Sequence, residues 1–481
     1  MITEGLQQEN TYELVSALFI KLLALVYFAA FASLSSQIIA LAGQDGILPV
    51  TNLLEHATTE FGWKRYLAYP TVFWINAGDT ALTAATWLGC AFSLLVLLKY
   101  KTRFLLVVLY LLYLSLYHAG QTFMNFQWDY LLLEAGFLAI LLTPNSRIII
   151  FLFRWLLFRL RFMSGLSKLL SNDPGWAGLS ALTFYFETQP LPHIGAWYAH
   201  QLPEWILILA TAATLFIELV VPFMMFMTRR YRFIAAWLTL LLQLLIILTS
   251  NHNWFNILTI ILCLFLFDDK AIASVIPNRL SNWLLQQKQV ASIPAYSRPI
   301  SYVFAAIILV TSSVQLWEMA SGNRVRGKPG HVLDYIERWS LANNYHVFPT
   351  VNQQRVELII EGTADGHTWL PYAFKYKPGA LDKPLHVVIP HQPRLDWMVW
   401  FVPLHPVFID WFENFLDALL DNSPGVTAML EHNPFPAAPP VALRVLAYEY
   451  KFTDIDEHKA TGNWWQRRYL GPFQPLPVVY R

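Results

Sequence analysis

The feature that most constrains this chain is a series of apolar stretches long enough to cross a bilayer, several of them carrying ionisable residues. A hydrocarbon core of about 30 Å calls for about 20 apolar residues in a helix. Runs of that order fall at 14–42, 78–98, 104–122, 127–143, 147–165, 204–228, 233–250, 253–267 and 300–317. The 127–143 and 253–267 runs are short enough to be half-buried or re-entrant, which gives seven to nine spans. Composition agrees, because 56% of the 481 residues are hydrophobic and only 14% are charged, against about 25% charged in soluble domains. The expected fold class is a polytopic α-helical membrane bundle of about seven to nine spans followed by a C-terminal α+β extracytoplasmic domain. The expected division is 1–319 for the membrane part and 320–481 for the outer domain.

Basic residues orient the spans. Lys99, Lys101 and Arg103 share one short loop, and Arg229, Arg230 and Arg232 share another. Such clusters favour the cytoplasmic side. With nine spans both loops fall on that side, the N-terminus is inside, and everything after residue 318 is outside. The start of the chain, MITEGLQQENTYE, lacks the basic region of a signal peptide, so the first run is expected to stay as a span. Residues 43–77 hold the aromatic tract FGWKRYLAYPTVFW, expected as interfacial helices with Trp and Tyr at headgroup level. Residues 166–203 are expected outside, and 268–299 as a polar cytoplasmic linker. Beyond residue 320, HVLDYIERWSLA, PRLDWMVWF and FIDWFENFLDALL read as helices, and HNPFPAAPP as a loop. RVELIIEG and HTWLPYAFKY alternate as paired strands about a turn at Ala364–Gly366, and VALRVLAYEYKF and NWWQRRYL read as two more.

Charges inside the apolar runs mark the candidate site. An ionisable group at a helix centre costs about 2.5–3.5 kcal/mol on insertion scales, so it normally faces a partner or a cavity. The stretch from Phe123 to Pro192 carries Asp129, Glu134, Arg154, Arg159, Arg161 and Lys168 in or beside such runs. Arg147, Arg154, Arg161 and Lys168 recur every seven residues, a spacing that drifts only about 20° per step around a helix. Arg154 lies near the middle of its run, as Glu134 and Glu218 do in theirs. The expected intramembrane polar network is therefore Asp129, Glu134, Arg154, Arg161, Lys168 and Glu218. Three readings stay open: ion pairs that fix helix register, a polar cavity for a substrate or headgroup, or span limits that place the arginines at the interface, snorkelling.

Other signals are weaker. His118 and His252 read as hydrogen-bonded helix ends; His193 and His200 lie seven apart without a third ligand, so no metal is expected. Asp268 and Asp269 follow a span end and are expected to be solvated. Cys90 and Cys263 both fall in apolar runs, leaving no disulfide framework and no CxxC motif. A net charge of +1 gives no electrostatic case for nucleic acid. Nucleophile-elbow, P-loop and dinucleotide-binding fingerprints are missing, and no cofactor is expected.

Read side by side, these stretches resemble the lipase maturation factor family. In the membrane part the resemblance rests on FQWDYLLLEAGFLA (126–139), RWLLFRL (154–160) with Lys168 after it, FYFETQPLP (184–192), FIELVVPF (216–223) and NWFNILT (253–259). In the outer part it rests on FKYKPG (374–379), PRLDWMVWF (393–401), HNPFP (432–436), YEYKF (448–452) and GNWWQRR (462–468). The resemblance implies a multi-span protein with a lumenal or extracellular C-terminal domain. Animal members are endoplasmic-reticulum proteins that help secreted lipases fold and assemble. In architecture the family is also distantly similar to vitamin-K-dependent carboxylases, an analogy of fold alone. The outer region here has none of the extra cysteines of the animal proteins, and Arg481 ends no KDEL-type signal. A prokaryotic-type member in a plasma membrane is therefore expected, or an endoplasmic-reticulum protein with a lumenal domain if the source is eukaryotic.

The leading functional expectation is a non-enzymatic folding or maturation factor. Its partners would be an exported client protein, lipases among them, and membrane lipids. Trp397, Trp400, Trp464 and Trp465 are candidate client-holding aromatics, weighed against ordinary core packing. The alternative is a membrane enzyme of carboxylase-like architecture acting on a lipid, a quinone or an exported peptide, with a bound lipid or quinone in its cavity. There Lys168, Glu134 and Glu187 are the catalytic candidates, beside Arg154 and Glu218, and Lys168 would be the base. A transporter would show repeat symmetry and matched broken helices, which the chain lacks.

Overall fold

The computed structural model describes residues 11–143, 146–286, 297–476 and 478–480. The principal helices before residue 322 are α1 (Glu13–Ser35), α2 (Val50–Phe61), α3 (Asp79–Leu97), α4 (Thr102–Ala119), α5 (Gln127–Leu141) and α6 (Arg147–Leu170). They continue with α7 (Ala181–Thr188), α8 (Ile194–His200), α9 (Glu204–Leu219), α10 (Arg229–Thr249), α11 (Phe255–Leu262) and α12 (Ser297–Ser321). Five segments are long and apolar enough to cross a membrane: α1, α3, α4, α10 and Pro299–Ser321 within α12. The pair α8 and α9 passes the same test together but is bent by 114°, so the count is six if they form one span. The expected 204–228 run ends at Leu219, where Pro222 opens a new short helix because proline cannot continue the amide ladder. The 253–267 run forms a shorter apolar helix, Phe255–Leu266. The first ten residues, and 287–296 of the expected linker at 268–299, lie outside the described residues.

The 127–143 and 147–165 runs become α5 and α6, which form the interior of the bundle. α5 is buried on nearly every side, including Asp129 and Glu134. α1 packs along α3, α3 along α4 and α4 along α5, while α6 meets α9 and α12. Close approach of α1 to α5 depends on Gly136, where a Cβ would fall 1.8 Å from the Tyr27 hydroxyl.

After α12 come α13 (Gly327–Arg338) and a sheet of β1 (Arg355–Thr363), β2 (Trp369–Pro371), β5 (Ala442–Phe452), β6 (Trp465–Pro472) and β7 (Val478–Tyr480). β3 (Ala373–Phe374) and β4 (Leu430–His432) pair separately. All pairings are antiparallel, in the order β2-β1-β5-β6, with β7 also on β5. The expected β1–β2 turn is present: the Asp365 carboxylate accepts from the His367 and Thr368 amides and from the Thr363 and Thr368 hydroxyls. Those donors hold Asp365 well below the usual carboxylate range. α14 (Arg394–Val399) and α15 (Ile409–Leu420) cover one face of the sheet through Leu395, Trp411, Phe412, Phe415 and Leu419. The same apolar cluster takes in Leu41, Ile47 and Phe123 from the ends of the bundle. α16 (Ile455–Thr461) joins β5 to β6 and is capped by Asp454, which accepts from the Glu457 amide. Core packing is therefore continuous from the bundle into the C-terminal region.

Candidate functional site

Three groups of buried charges in the bundle are completed by chain from beyond residue 340; Asp268 with Arg229 and Arg232 forms another within the bundle itself. The first is Asp129, in the opening turn of α5. Its two oxygens receive a fork from Arg394, at 2.7 and 3.0 Å, and the Tyr113 hydroxyl donates at 2.6 Å. Such two-point pairing of a planar guanidinium to a carboxylate is among the strongest side-chain contacts. Arg394 opens α14, and its Nη1 also donates to the Phe123 carbonyl, at 2.6 Å.

The second group is centred on Glu134, one and a half turns further along α5. Arg159 of α6 donates to one oxygen. The other accepts from the Tyr345 hydroxyl at 3.0 Å, and from the Asn343 side chain and amide at 3.1 and 3.2 Å. Arg159 in turn donates to the Asn343 carbonyl at 3.1 Å. Glu134 and Arg159 have 0% side-chain exposure.

The third joins α6 to α9. Lys168 donates to Glu218 at 2.8 Å and to the Val347 carbonyl at 2.8 Å, with Arg161 at 3.6 Å from the second Glu218 oxygen. Beside it, Asp173 caps the Trp176 amide and accepts from the Val351 amide. Segment 343–351 thus lies along the bundle and satisfies one polar group after another.

Arg154 does not belong to this network, contrary to expectation. It donates to the Tyr12 hydroxyl and the Phe265 carbonyl. Arg159 is five residues further on and about 140° around the helix, and it takes the place expected for Arg154. Arg147, the first of the seven-residue series, is exposed. Asp268 and Asp269 also depart from expectation, since neither is simply solvated. Asp268 is buried against Arg229 at 2.6 Å, and Asp269 accepts from the Glu13 and Val15 amides at the start of α1. His118 is a hydrogen-bonded helix end, 3.0 Å from the Arg338 carbonyl, and His252 meets the Tyr185 hydroxyl at 2.7 Å.

Glu187 stands apart from the three groups, at the end of α7. Its carboxylate accepts from the Phe452 amide at 2.6 Å, and His200 lies 3.8 Å away. Burial pushes the carboxyl up, while the Phe452 amide and Arg355 pull it down. Arg355, at the start of β1, donates to the Glu187, Gln189 and Pro190 carbonyls and pairs with Glu357, which also holds Lys377 at 2.6 Å. Near α1, the Ser33 hydroxyl is 2.9 Å from His391 Nδ1 and accepts from the Gln392 amide. Of the aromatic candidates, Trp397 is 3% exposed and Trp465 1% exposed. Trp397 packs on Trp128, and Trp465 on Phe452. These two are core residues, because the sheet and α14 bury them. Trp400 and Trp464 are half-buried.

Two hollows open beside the seam, of about 190 and 520 Å³. The smaller is lined by Ser36, Gln37, Lys375, His391 and Asp396, and the larger by Asp45, Asn52, Asn414, Asp417 and Asp421. Neither is lined by Glu134, Lys168, Glu187 or Glu218. Among the described residues, no group of three or more His, Cys, Asp or Glu is arranged to hold a metal ion.

Arg394, Arg159, Asn343 and Tyr345 were absent from the expected network. Arg159 stood in view but off the seven-residue stripe. Arg394 lies in the outer-region motif PRLDWMVWF, with nothing local to tie it to Asp129, 265 residues away.

Fold and charges together define an integral membrane protein whose helical bundle carries a docked α+β region. The family model described as lipase maturation factor transmembrane domain matches residues 14–274, and the lipase maturation factor C-terminal domain matches 341–475. Lipase maturation factor 2 of Xenopus laevis is 33% identical, covering 94% of this chain and 80% of that protein. For lipase maturation factor 2 of Homo sapiens the figures are 32%, 95% and 82%, and for lipase maturation factor 1 of Homo sapiens 31%, 97% and 88%. No solved structure matches. The chain belongs to the lipase maturation factor family. The carboxylase-like alternative gains no support from these matches.

Proposed function

We propose that this chain is a membrane-embedded maturation factor for exported proteins, with secreted lipases as the client class. The observation that carries the reading is family membership over nearly the whole chain, both regions included. The buried charges act as a scaffold in this reading: each carboxylate is taken up by a cation, and three of the groups are closed by the segment that leads into or lies within the C-terminal region. Lys168, Glu134 and Glu187 then have structural rather than catalytic roles. The proposed organisation is a membrane domain at 1–319 with seven to nine spans and an extracytoplasmic domain at 320–481. The membrane is the endoplasmic reticulum in a eukaryotic host and the plasma membrane in a prokaryotic one. Trp400 and Trp464, half-buried, remain the aromatic candidates for client contact.

The test is co-expression with a secreted lipase in cells depleted of their own maturation factor. Lipase activity per mass of secreted enzyme should rise several-fold over an empty vector. Unchanged specific activity, with this protein present in the membrane at normal level, would refute the proposal.

A further inference from the structure

One buried lysine of the bundle lacks the counter-charge that the other buried cations there have. Arg159, Arg161, Lys168 and Arg232 each lie within 3.7 Å of a carboxylate oxygen. Lys21 is 9% exposed and sits about 12 Å along α1 from its start, at 1.5 Å per residue. Its ammonium donates to the Val96 carbonyl at 2.5 Å, near the end of α3. Lys99, in the turn after α3, is held at a φ of 63° and donates its amide to the same carbonyl at 3.0 Å. Its ammonium donates to the Trp283 and Leu284 carbonyls. Among the described residues, neither lysine has a carboxylate partner. Both ammoniums lie over the Trp283 ring, at 5.9 and 4.3 Å from its centre. Trp283 belongs to the short helix Asn278–Leu285, which packs against α1. Residues 287–296 add a lysine to this region's sequence and no acid. Leu98, Tyr100, Trp283 and Leu285, beside the pair, are exposed.

We infer that Lys21, Lys99 and Trp283 form a site for the phosphate of an anionic phospholipid, at the end of the bundle where α1 begins and α3 stops. This goes beyond the maturation reading and does not depend on it. Two ammoniums facing one ring repel each other, and burial strips Lys21 of the water that screens a surface charge. The carbonyls and the indole face around them offer dipoles but no opposite charge. An anion supplies it, and a lysine, as a compact charge with three rotatable donors, suits a phosphate. Lys99 is half-buried and reachable; Lys21 acts from beneath it. The surroundings select the source of that phosphate. Exposed Leu98, Tyr100 and Leu285 flank the site at the end of a membrane-crossing helix, so a phosphate that reaches it arrives on acyl chains, with Trp283 at headgroup level. Lys101 and Arg103, exposed in the same loop, add to the attraction for an anionic leaflet. Lys101 lies over the Tyr100 ring, at 5.5 Å, away from Trp283.

The experiment titrates the full chain, purified in a neutral detergent, with dioleoyl phosphatidylglycerol or dioleoyl phosphatidylcholine, and reads the retained lipid by native mass spectrometry. Glycerol phosphate serves as the free-anion arm. The wild type should bind phosphatidylglycerol at least about tenfold more tightly than phosphatidylcholine. Lys99→Gln and Lys21→Met should each erase most of that preference, while Lys99→Arg keeps it and Lys101→Gln changes it by less than about twofold. Should Lys21→Met lower the melting temperature, Lys99→Gln, at a half-buried position, carries the test. Equal retention of the two lipids by the wild type would overturn the inference. So would equal losses from Lys99→Gln and Lys101→Gln, which would show a general basic surface rather than a site. Displacement of phosphatidylglycerol by an equal concentration of glycerol phosphate would show a free anion as the occupant, and would overturn it too. The maturation reading stands or falls separately, by the co-expression test above.

Discussion

At the scale of single residues, the buried cations of α6 differ in what their loss exposes. Removing Arg159 leaves Glu134 charged and fully enclosed, with only neutral donors from Tyr345 and Asn343. Breaking a buried pair in this way costs about 3–5 kcal/mol. Arg154 gives up two hydrogen bonds to neutral groups, worth about 1–3 kcal/mol. Arg159→Gln should therefore lower the melting temperature in detergent clearly more than Arg154→Gln; equal losses would place Arg154 back in the network. His391 carries a pH dependence. Burial, with Arg394 and Lys375 nearby, pushes its imidazole down from 6.5 to about 4, while Asp396 lines the same hollow. Between those values the unfolded chain accepts a proton that the folded one refuses. Stability from the neutral ring is thus full above about pH 6.5 and falls away toward pH 4. Melting temperature followed from pH 7 to pH 4 should fall less steeply in His391→Gln than in the wild type.

Elements meet through a few close approaches. α1 lies against α5 because Gly136 leaves room for the Tyr27 hydroxyl. Overpacking of this kind costs about 1–3 kcal/mol, so Gly136→Ala should lower the melting temperature. Adding Tyr27→Phe, which removes the clashing oxygen, should recover part of the loss. Much of the element pattern was legible beforehand: the β1–β2 turn at Ala364–Gly366, the long strand β5, and the helices α14 and α15 all lie where periodicity and turn residues put them. Span limits were not. Bundle-interior helices such as α5 are as apolar as lipid-facing ones, so hydropathy cannot separate them. For the site, Asp129, Glu134 and Glu218 announced themselves because charge inside an apolar run is costly. Their partners stayed hidden because Asn343, Tyr345 and Arg394 sit in ordinary polar surroundings more than 200 residues away. Arg154 was misplaced because a seven-residue repeat marks a stripe without saying which stripe faces the carboxylates.

At the scale of the whole molecule, the bundle and the C-terminal region share apolar clusters and several buried polar junctions. Their sidedness can be read from thiol labelling, since Cys90 and Cys263 are both buried. With the chain expressed in the plasma membrane of bacterial cells, a maleimide impermeant to that membrane should label Val407→Cys, at a position 65% exposed, and should leave Arg230→Cys unlabelled; the reverse pattern would invert the proposed topology. The measurement that bears most directly on the buried charges is a double-mutant cycle at the Asp129–Arg394 junction. Asp129→Leu, Arg394→Met and the pair together would be compared for melting temperature and for the activity of a co-expressed secreted lipase. If the charges are scaffold, each single change strands a buried charge and lowers both readouts, and the double variant regains most of both. If the double variant regains its melting temperature while lipase maturation stays lost, the charges are used for something other than holding the molecule together.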